Sequence, residues 1–593
     1  MSATLVFDIE THSADELYNL PPEQFVRLIG YRWIGGETIL TTDLEELKEQ
    51  IRTARWIIGH NIHAFDLRAV FGPDSDEPLE LARQRRVYDT WTHAILVNPA
   101  PRTYTNRDGK TALADSPPKM RKWFSLDEQA HQLGVGGKTD DLKALAKEFG
   151  GFGSIPVDDE RYRDYLKGDV EASEALAREL LKLGPLDDYA MREQEIAARA
   201  AVISSNGFRV DIGKAQERSD ALEARKNEIV EYLREHYGLP TEGKSPWATD
   251  AGKEAILKAL ADHGITEKTR KDWPRTATGN LSLSGDALTS ITKGTTAEDL
   301  GKALAELKGQ RSLSRLALDS THADGKVHPD ITMLQRSGRW STTNPGLTVW
   351  TARGEGAIEK GYFVPDSEDE ALLAVDYSNA DARIVAALSG DRKYAERFEP
   401  GADGHRINAI AAWGQRTVDS DPDHYRQLAK PLGHGWSYGG QAKTLAKSAG
   451  VELETAQTFC DGMNKTYSVL VSWQQRARRE AQATGYVTNE WGRRMPVEKG
   501  REFTQAPALL GQSGTREIVC DALLRMPPHV LRHVKAQVHD EIVFSVPRRN
   551  WQACRDYLVN LMETEFKPAR GGQHIEFPVS AGEAGENWME ATH

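Results

Sequence analysis

Residues 535–546, KAQVHDEIVFSV, alternate apolar and polar side chains on either side of one polar break. A period of two marks a half-buried strand, so the stretch predicts strand, tight turn, strand. His539, Asp540 and Glu541 occupy the tip of that hairpin. A tight tip holds carboxylates at the mouth of a sheet with little backbone freedom. Taken alone, a His-Asp-Glu turn is an ordinary solvated feature, and its meaning depends on its company.

The nearest company is ALLAVDYSNADAR at 371–383, an apolar run that predicts a buried strand with Asp376 at its exit. Asp376 and Asp540 together suit two magnesium ions, one to lower the pKa of a hydroxyl nucleophile and one to grip a triphosphate. Between these segments lies DHYRQLAKPLGHGWSYGG, residues 423–440. Arg426, Lys430, His434 and Tyr438 recur every four residues there, which on a helix makes one slowly turning stripe. Lys430 as a compact charge and Arg426 as a planar fork can cradle phosphate oxygens. An aromatic further along can pack against a nucleotide. Pro431, Gly433 and Gly435 make the segment a poor isolated helix and predict a bend.

A second carboxylate set opens the chain. TLVFDIE at 4–10 predicts a strand with Asp8 and Glu10 on one face. Asp66 follows in GHNIHAFDL, where a helix is expected to begin, and Tyr165 and Asp169 lie four apart on a predicted helix. Four carboxylates suit two magnesium or manganese ions, hard cations that prefer oxygen ligands. Such a pair activates a water and stabilises the leaving oxygen of a phosphodiester, with the Tyr165 hydroxyl beside it to orient the water.

In this order, DxE, NxxxFD and YxxxD resemble the proofreading 3′–5′ exonucleases of the Asp-Glu-Asp-Asp class, and the resemblance adds Asn61 and Phe65 as residues near the primer end. The three carboxy-terminal segments resemble motifs A, B and C of the family A DNA polymerases. SGRWSTTNPGL, GADGHRINAIAAWG and LLGQSG resemble further segments of that family. They imply that Arg339 contacts primer or template, that His405 approaches the triphosphate, and that Gln512 touches the minor groove. TATGNLSLSGDAL at 276–288 is similar to the family's thumb loop. The resemblance implies catalysis by Asp376 and Asp540, with Glu541 and His539 supporting the primer end. Two ions per active site, primer-template DNA, deoxynucleotides and a monomeric phage replicase complete the expectation. Asp381 stands where the family has Glu, which screens the ribose 2′ position, and His434 stands where Phe or Tyr is usual. Either a small backbone shift, through a bend at Pro431, restores the usual contact, or the wall against a 2′-hydroxyl stands further back.

At 593 residues the chain is too long for one core. The predicted architecture is α/β and α+β multidomain: an RNase H-like exonuclease domain followed by a right-hand polymerase. The expected order is exonuclease (1–187), thumb (188–325), first part of the palm (326–400), fingers (401–500) and second part of the palm (501–593). Residues 98–122, polar and containing proline, predict an exposed loop, and 188–308 a helical, charged stretch. No run reaches a membrane span, and the first residues carry no signal-peptide pattern. Three cysteines without close pairing indicate a reducing cytoplasm, that of a bacterial host for a phage protein, and exclude a zinc site. The net charge of −13 tells little against a nucleic-acid partner, because the carboxylate cages concentrate acid while a groove stays basic. Lys308, Arg311, Arg315, Arg336 and Arg339 are the expected contacts to the DNA backbone.

Overall fold

A computed structural model describes residues 3–135, 142–240, 245–276, 279–309, 313–350 and 355–591. The chain forms two compact units, Met1–Arg209 with His322–Ala352 and Phe363–His593, and Val210–Thr321 with Arg353–Tyr362. No helix among the described residues is long and apolar enough to cross a membrane.

In the first unit the amino-terminal sheet has five strands, ordered Ile39–Thr41, Val26–Trp33, Thr4–Thr11, Trp56–Gly59, Val87–Asp89. Thr4–Thr11 pairs antiparallel with Val26–Trp33 and parallel with Trp56–Gly59. Leu5, Val6 and Phe7 are fully buried, as a central strand covered on both faces requires. The helix Glu160–Leu183 starts at Asp159, whose carboxylate accepts from the Arg161 and Tyr162 amides. Its buried residues recur every three or four positions, and that apolar face packs on the sheet. Gly30 sets how closely it packs. A Cβ on Gly30 would lie 2.9 Å from Leu166 and 3.0 Å from Val170, so only glycine permits this approach.

The second sheet of this unit has four antiparallel strands, ordered Val534–Val538, Glu541–Pro547, Glu370–Tyr377, Val579–Ala581. Ala371 to Val375 are buried, as the apolar run predicts. The helices Gly404–Trp413, Pro422–Ser437, Leu453–Thr466 and Ser468–Thr484 pack their apolar faces into the same large core. The helix Pro422–Ser437 runs through Pro431 and both glycines. Burial of Ala429, Leu432 and Trp436 outweighs the poor local propensity. Tyr438 falls just past this helix as its cap, so the stripe spans three helical residues and one cap.

Residues 98–122 are largely exposed, as their composition predicts, but they carry regular structure in place of the expected loop. They contain the hairpin Thr103–Thr105/Thr111–Leu113 and run into the helix Pro117–Trp123, with Tyr104 and Met120 buried, as is Trp123 at the end of that helix. A few large apolar side chains, spaced through a polar segment, anchor it to the domain.

The second unit is helical, built from Ile212–Tyr237, Asp250–Asp262, Gly285–Thr292, Glu298–Gly309 and Leu313–Asp319. Its core includes Ile229, Leu233, Leu260, Leu288, Leu300 and Leu304. The 276–288 segment, of which 277 and 278 lie outside the described residues, leads into a helix capped by Ser284.

Candidate active sites

The first carboxylate group forms where the Glu160–Leu183 helix crosses the Thr4–Thr11 strand. Asp8, Glu10 and Asp169 place carboxylate oxygens within 4.8 Å of one another. Asp66 opens the helix Asp66–Phe71 and interacts with Asp8. Burial first, and then the Asp8 charge, holds its carboxyl well above the usual range. Carboxylates this close repel one another, which protons or cations relieve, and an all-oxygen donor set fits a hard divalent ion. Tyr165 is buried one helical turn before Asp169. Asn61 and Phe65 line a cavity of about 130 Å³ together with His63, Arg68 and Asp89.

Asp89 escaped the sequence reading and organises this loop. Its buried carboxylate accepts from the Asn61 amide (2.7 Å), the Trp91 amide (2.9 Å) and the Thr92 hydroxyl (3.0 Å). Asn61 sits at φ 61°, a left-handed conformation that this clamp holds in place. Burial raises the Asp89 carboxyl to about 6. The available signal was an aspartate closing the short strand VYD at 87–89.

The second group forms at the end of the four-stranded sheet. Asp376 pairs in register with Glu541 on one side and Ser580 on the other. The two-residue turn His539–Asp540 places His539 at φ 60°, and the Gln537 amide donates to the His539 carbonyl at 2.5 Å. Burial, then Asp540 and Glu541, pushes Asp376 up to about 7. Burial, then the Asp381 charge, pushes Asp540 up to about 6. The fully buried Trp588 indole donates to Glu541 at 3.2 Å and fixes that carboxylate, a role invisible in sequence.

Asp381 is the joint of this site. Its Oδ1 accepts from Arg339 at 2.5 Å and from the Thr515 hydroxyl at 2.6 Å. Burial and the Asp381 charge together drive the Tyr438 phenol well above its ordinary range, so the cap of the Pro422–Ser437 helix lies beside the same carboxylate. The His434 ring meets Tyr438 edge-on, with centroids 5.4 Å apart. One and two turns back from His434 on that helix stand Lys430 and Arg426. Arg426 pairs with Asp403 at 2.6 Å, and Asp403 caps the helix that carries His405. Burial, followed by Arg397 and Arg426, holds the His405 imidazole below its ordinary value, and Lys430 adds to the effect. Gln512 is half-buried on Glu502–Arg525, the helix that also carries Thr515.

That helix is bolted in place by a buried charge network. Arg516 donates to Glu193 at 2.8 Å and to Glu517 at 2.9 Å, and Arg192 pairs with Asp521 at 2.6 Å. The network keeps Arg516 cationic and Glu193 down at about 2 despite full burial. Other expected DNA contacts already have partners: Arg336 pairs with Glu498 at 2.7 Å, Arg315 with Asp319 at 2.8 Å, and Lys308 donates to the Leu283 carbonyl at 2.6 Å. Arg311 lies outside the described residues.

Comparison with known proteins places this architecture. The sequence profile of DNA polymerase family A matches residues 227–590, more than half of the chain. The DNA polymerase of Mycobacterium phage D29 is 28% identical over 401 residues, covering 66% of this chain and 62% of that protein. The DNA polymerase of Mycobacterium phage L5 is 26% identical over 386 residues, covering 65% and 61%. DNA polymerase I of Bacillus subtilis (strain 168) is 24% identical over 507 residues, covering 78% and 54%. The chain thus spans about three-fifths of the length of the two phage relatives. The POL domain of Pol1 from M. smegmatis, solved in complex with DNA primer-template and dNTP, shares the fold with a TM-score of 0.71 at 19% identity, covering 100% of this chain and 97% of that one. By the profile match over its larger part, the chain belongs to DNA polymerase family A.

Proposed function

We propose that the chain is a template-directed DNA polymerase with a 3′–5′ proofreading exonuclease, extending primers in phage DNA replication. The observation that carries this reading is the convergence on Asp381. One carboxylate touches Arg339 and Thr515, neighbours Tyr438, and acts electrostatically on Asp540, so the cationic helix and the acidic hairpin belong to one site.

In the polymerase site Asp376 and Asp540 would hold two magnesium or manganese ions, which when bound activate the primer 3′-hydroxyl and neutralise the triphosphate. The chain's own part is placement. Arg426, Lys430 and His405 bind the phosphate tail, and Arg426 exchanges Asp403 for phosphate oxygens as it does so. Tyr438 and His434 form the aromatic wall against the incoming nucleotide. Glu541, fixed by Trp588, and the His539 turn position the primer end. Gln512 and Arg339 lie along the minor groove, whose acceptors are alike for every base pair, and so test pair geometry without reading sequence. In the exonuclease site Asp8, Glu10, Asp66 and Asp169 would hold the ions, which when bound supply the activated water, with Tyr165 to orient it and Asn61 and Phe65 to receive the primer end. We assign 1–187 to the RNase H-like exonuclease, 188–325 to the thumb, 326–400 and 501–593 to the palm, and 401–500 to the fingers. The enzyme works as a monomer in the cytoplasm of the bacterial host. The test is incubation of purified protein with a labelled primer-template and magnesium. Extension with deoxynucleotides and shortening without them support both activities, and an unchanged primer in both arms refutes them.

A further inference from the structure

Resting on the polymerase reading, we propose that Arg397 is a further cation of the triphosphate cradle, reaching the phosphate tail beside Arg426, Lys430 and His405. No motif pointed to it, because it lies in the short 3-10 turn Glu396–Phe398, upstream of the segment that carries His405.

The geometry places its guanidinium at the cradle. A Cβ built on Gly404 would lie 3.1 Å from Arg397 Nε and 3.2 Å from Nη2, so the guanidinium rests against the first turn of the helix Gly404–Trp413. Gly404 is flanked by Asp403, which holds Arg426 at 2.6 Å, and by His405. Arg397 also ranks directly after burial among the influences that depress the His405 imidazole, ahead of Arg426 and Lys430. Four cationic or titratable groups therefore meet within a single neighbourhood of the fingers.

What holds Arg397 matters as much as where it is. Its Cζ lies 4.8 Å from the Tyr394 ring centroid and 5.7 Å from that of Phe398. Tyr394 is buried and Phe398 packs against the same core, so the stack has a firm base. Among the described residues no carboxylate pairs with Arg397, whereas Arg426 has Asp403. A guanidinium supported by ring faces keeps its charge and its N–H fork for an anion. Asp403 is the one carboxylate that pairs with Arg426 there among the described residues, and a nucleoside triphosphate would bring further negative charge to Arg397, Arg426 and Lys430. An Arg present only for packing would sit on the same rings, so the test must read phosphate binding.

Two measurements on the full chain do this. One is the KM for the next correct deoxynucleotide in single-nucleotide insertion, and the other is calorimetric binding of inorganic tripolyphosphate without DNA. Loss of a charge-assisted hydrogen bond predicts that Arg397→Gln weakens both by about 10- to 100-fold. The kcat should stay within about threefold, because the tail is held equally in ground and transition states. Arg397→Lys, which keeps the charge and most of the packing, should recover at least half of the loss on a logarithmic scale. If Arg397→Gln and Arg397→Lys both match wild type while Arg426→Gln weakens both readouts, Arg397 is a packing residue and the assignment is wrong, with the polymerase reading intact. Should the wild-type protein fail to extend a primer at all, that reading falls and this one with it.

Discussion

Lengthening Asp381 by one methylene should sharpen the choice between deoxy- and ribonucleotides. Asp381 stands on the first turn of the helix Ala380–Ser389, and its side chain is 26% exposed. Arg339 and Thr515 approach the same oxygen, so the carboxylate is pinned by two donors. Asp381→Glu moves the carboxylate outward by about 1.5 Å, the length of one carbon–carbon bond. Arg339 follows it, and the added methylene fills the space beside the nucleotide sugar. One methylene of steric contact is worth about 1–3 kcal/mol, or roughly 10- to 200-fold in discrimination. The assay is single-nucleotide insertion of matched ribo- and deoxynucleotides, with the ratio of kcat/KM compared in an exonuclease-silenced background. A ratio that rises within that range supports a wall standing further back in the natural protein. An unchanged or lower ratio refutes it and shows that the pinned aspartate already closes the gap.

Asp8→Ala with Glu10→Ala should abolish primer shortening and leave extension within about threefold, since the two carboxylate groups stand on different sheets; joint loss would show that they are not independent. Gly30→Ala should push the Glu160–Leu183 helix off its sheet, at an overpacking cost of about 1–3 kcal/mol, and lower nuclease activity selectively. A Gly30→Ala protein with wild-type nuclease rate and melting temperature would contradict the close-approach argument. His63 is buried, hydrogen-bonded to Gln194 at 3.2 Å, and burial lowers its pKa to about 4. The unfolded chain takes up that proton first, so stability is full above pH ~6.5 and falls by about 3 kcal/mol as the pH drops toward 4. His63→Gln should flatten the acid side of the melting-temperature profile; a parallel profile would exclude His63 as a contributor.

Local pattern carried much of this architecture. The apolar run in TLVFDIE and the alternation in KAQVHDEIVFSV mark strands, and the four-residue spacing of Tyr165 and Asp169 marks one helix face. Carboxylates grouped by such rules do meet in space, because a strand end and a helix face leave them few other positions. What escaped depends on partners far along the chain. Thr515 and Asp381 are 134 residues apart, and Trp588 and Glu541 are 47 apart. Nothing in either local sequence announces the other. Gly30 looks like a weak point in a strand until the helix that needs its missing side chain is in place. Residues 98–122 are largely exposed as composition predicts, but composition averages over the buried Tyr104 and Met120 that tie a polar stretch down.

The most direct test of the central claim is primer extension by Asp540→Ala. The polymerase reading rests on the Asp376–Asp540 pair as the metal-holding centre, and loss of one bridging carboxylate should slow nucleotide addition by at least about a thousandfold. The same protein should still shorten a primer at the wild-type rate. Extension by Asp540→Ala at near-normal rate would contradict the account and place the chemistry elsewhere.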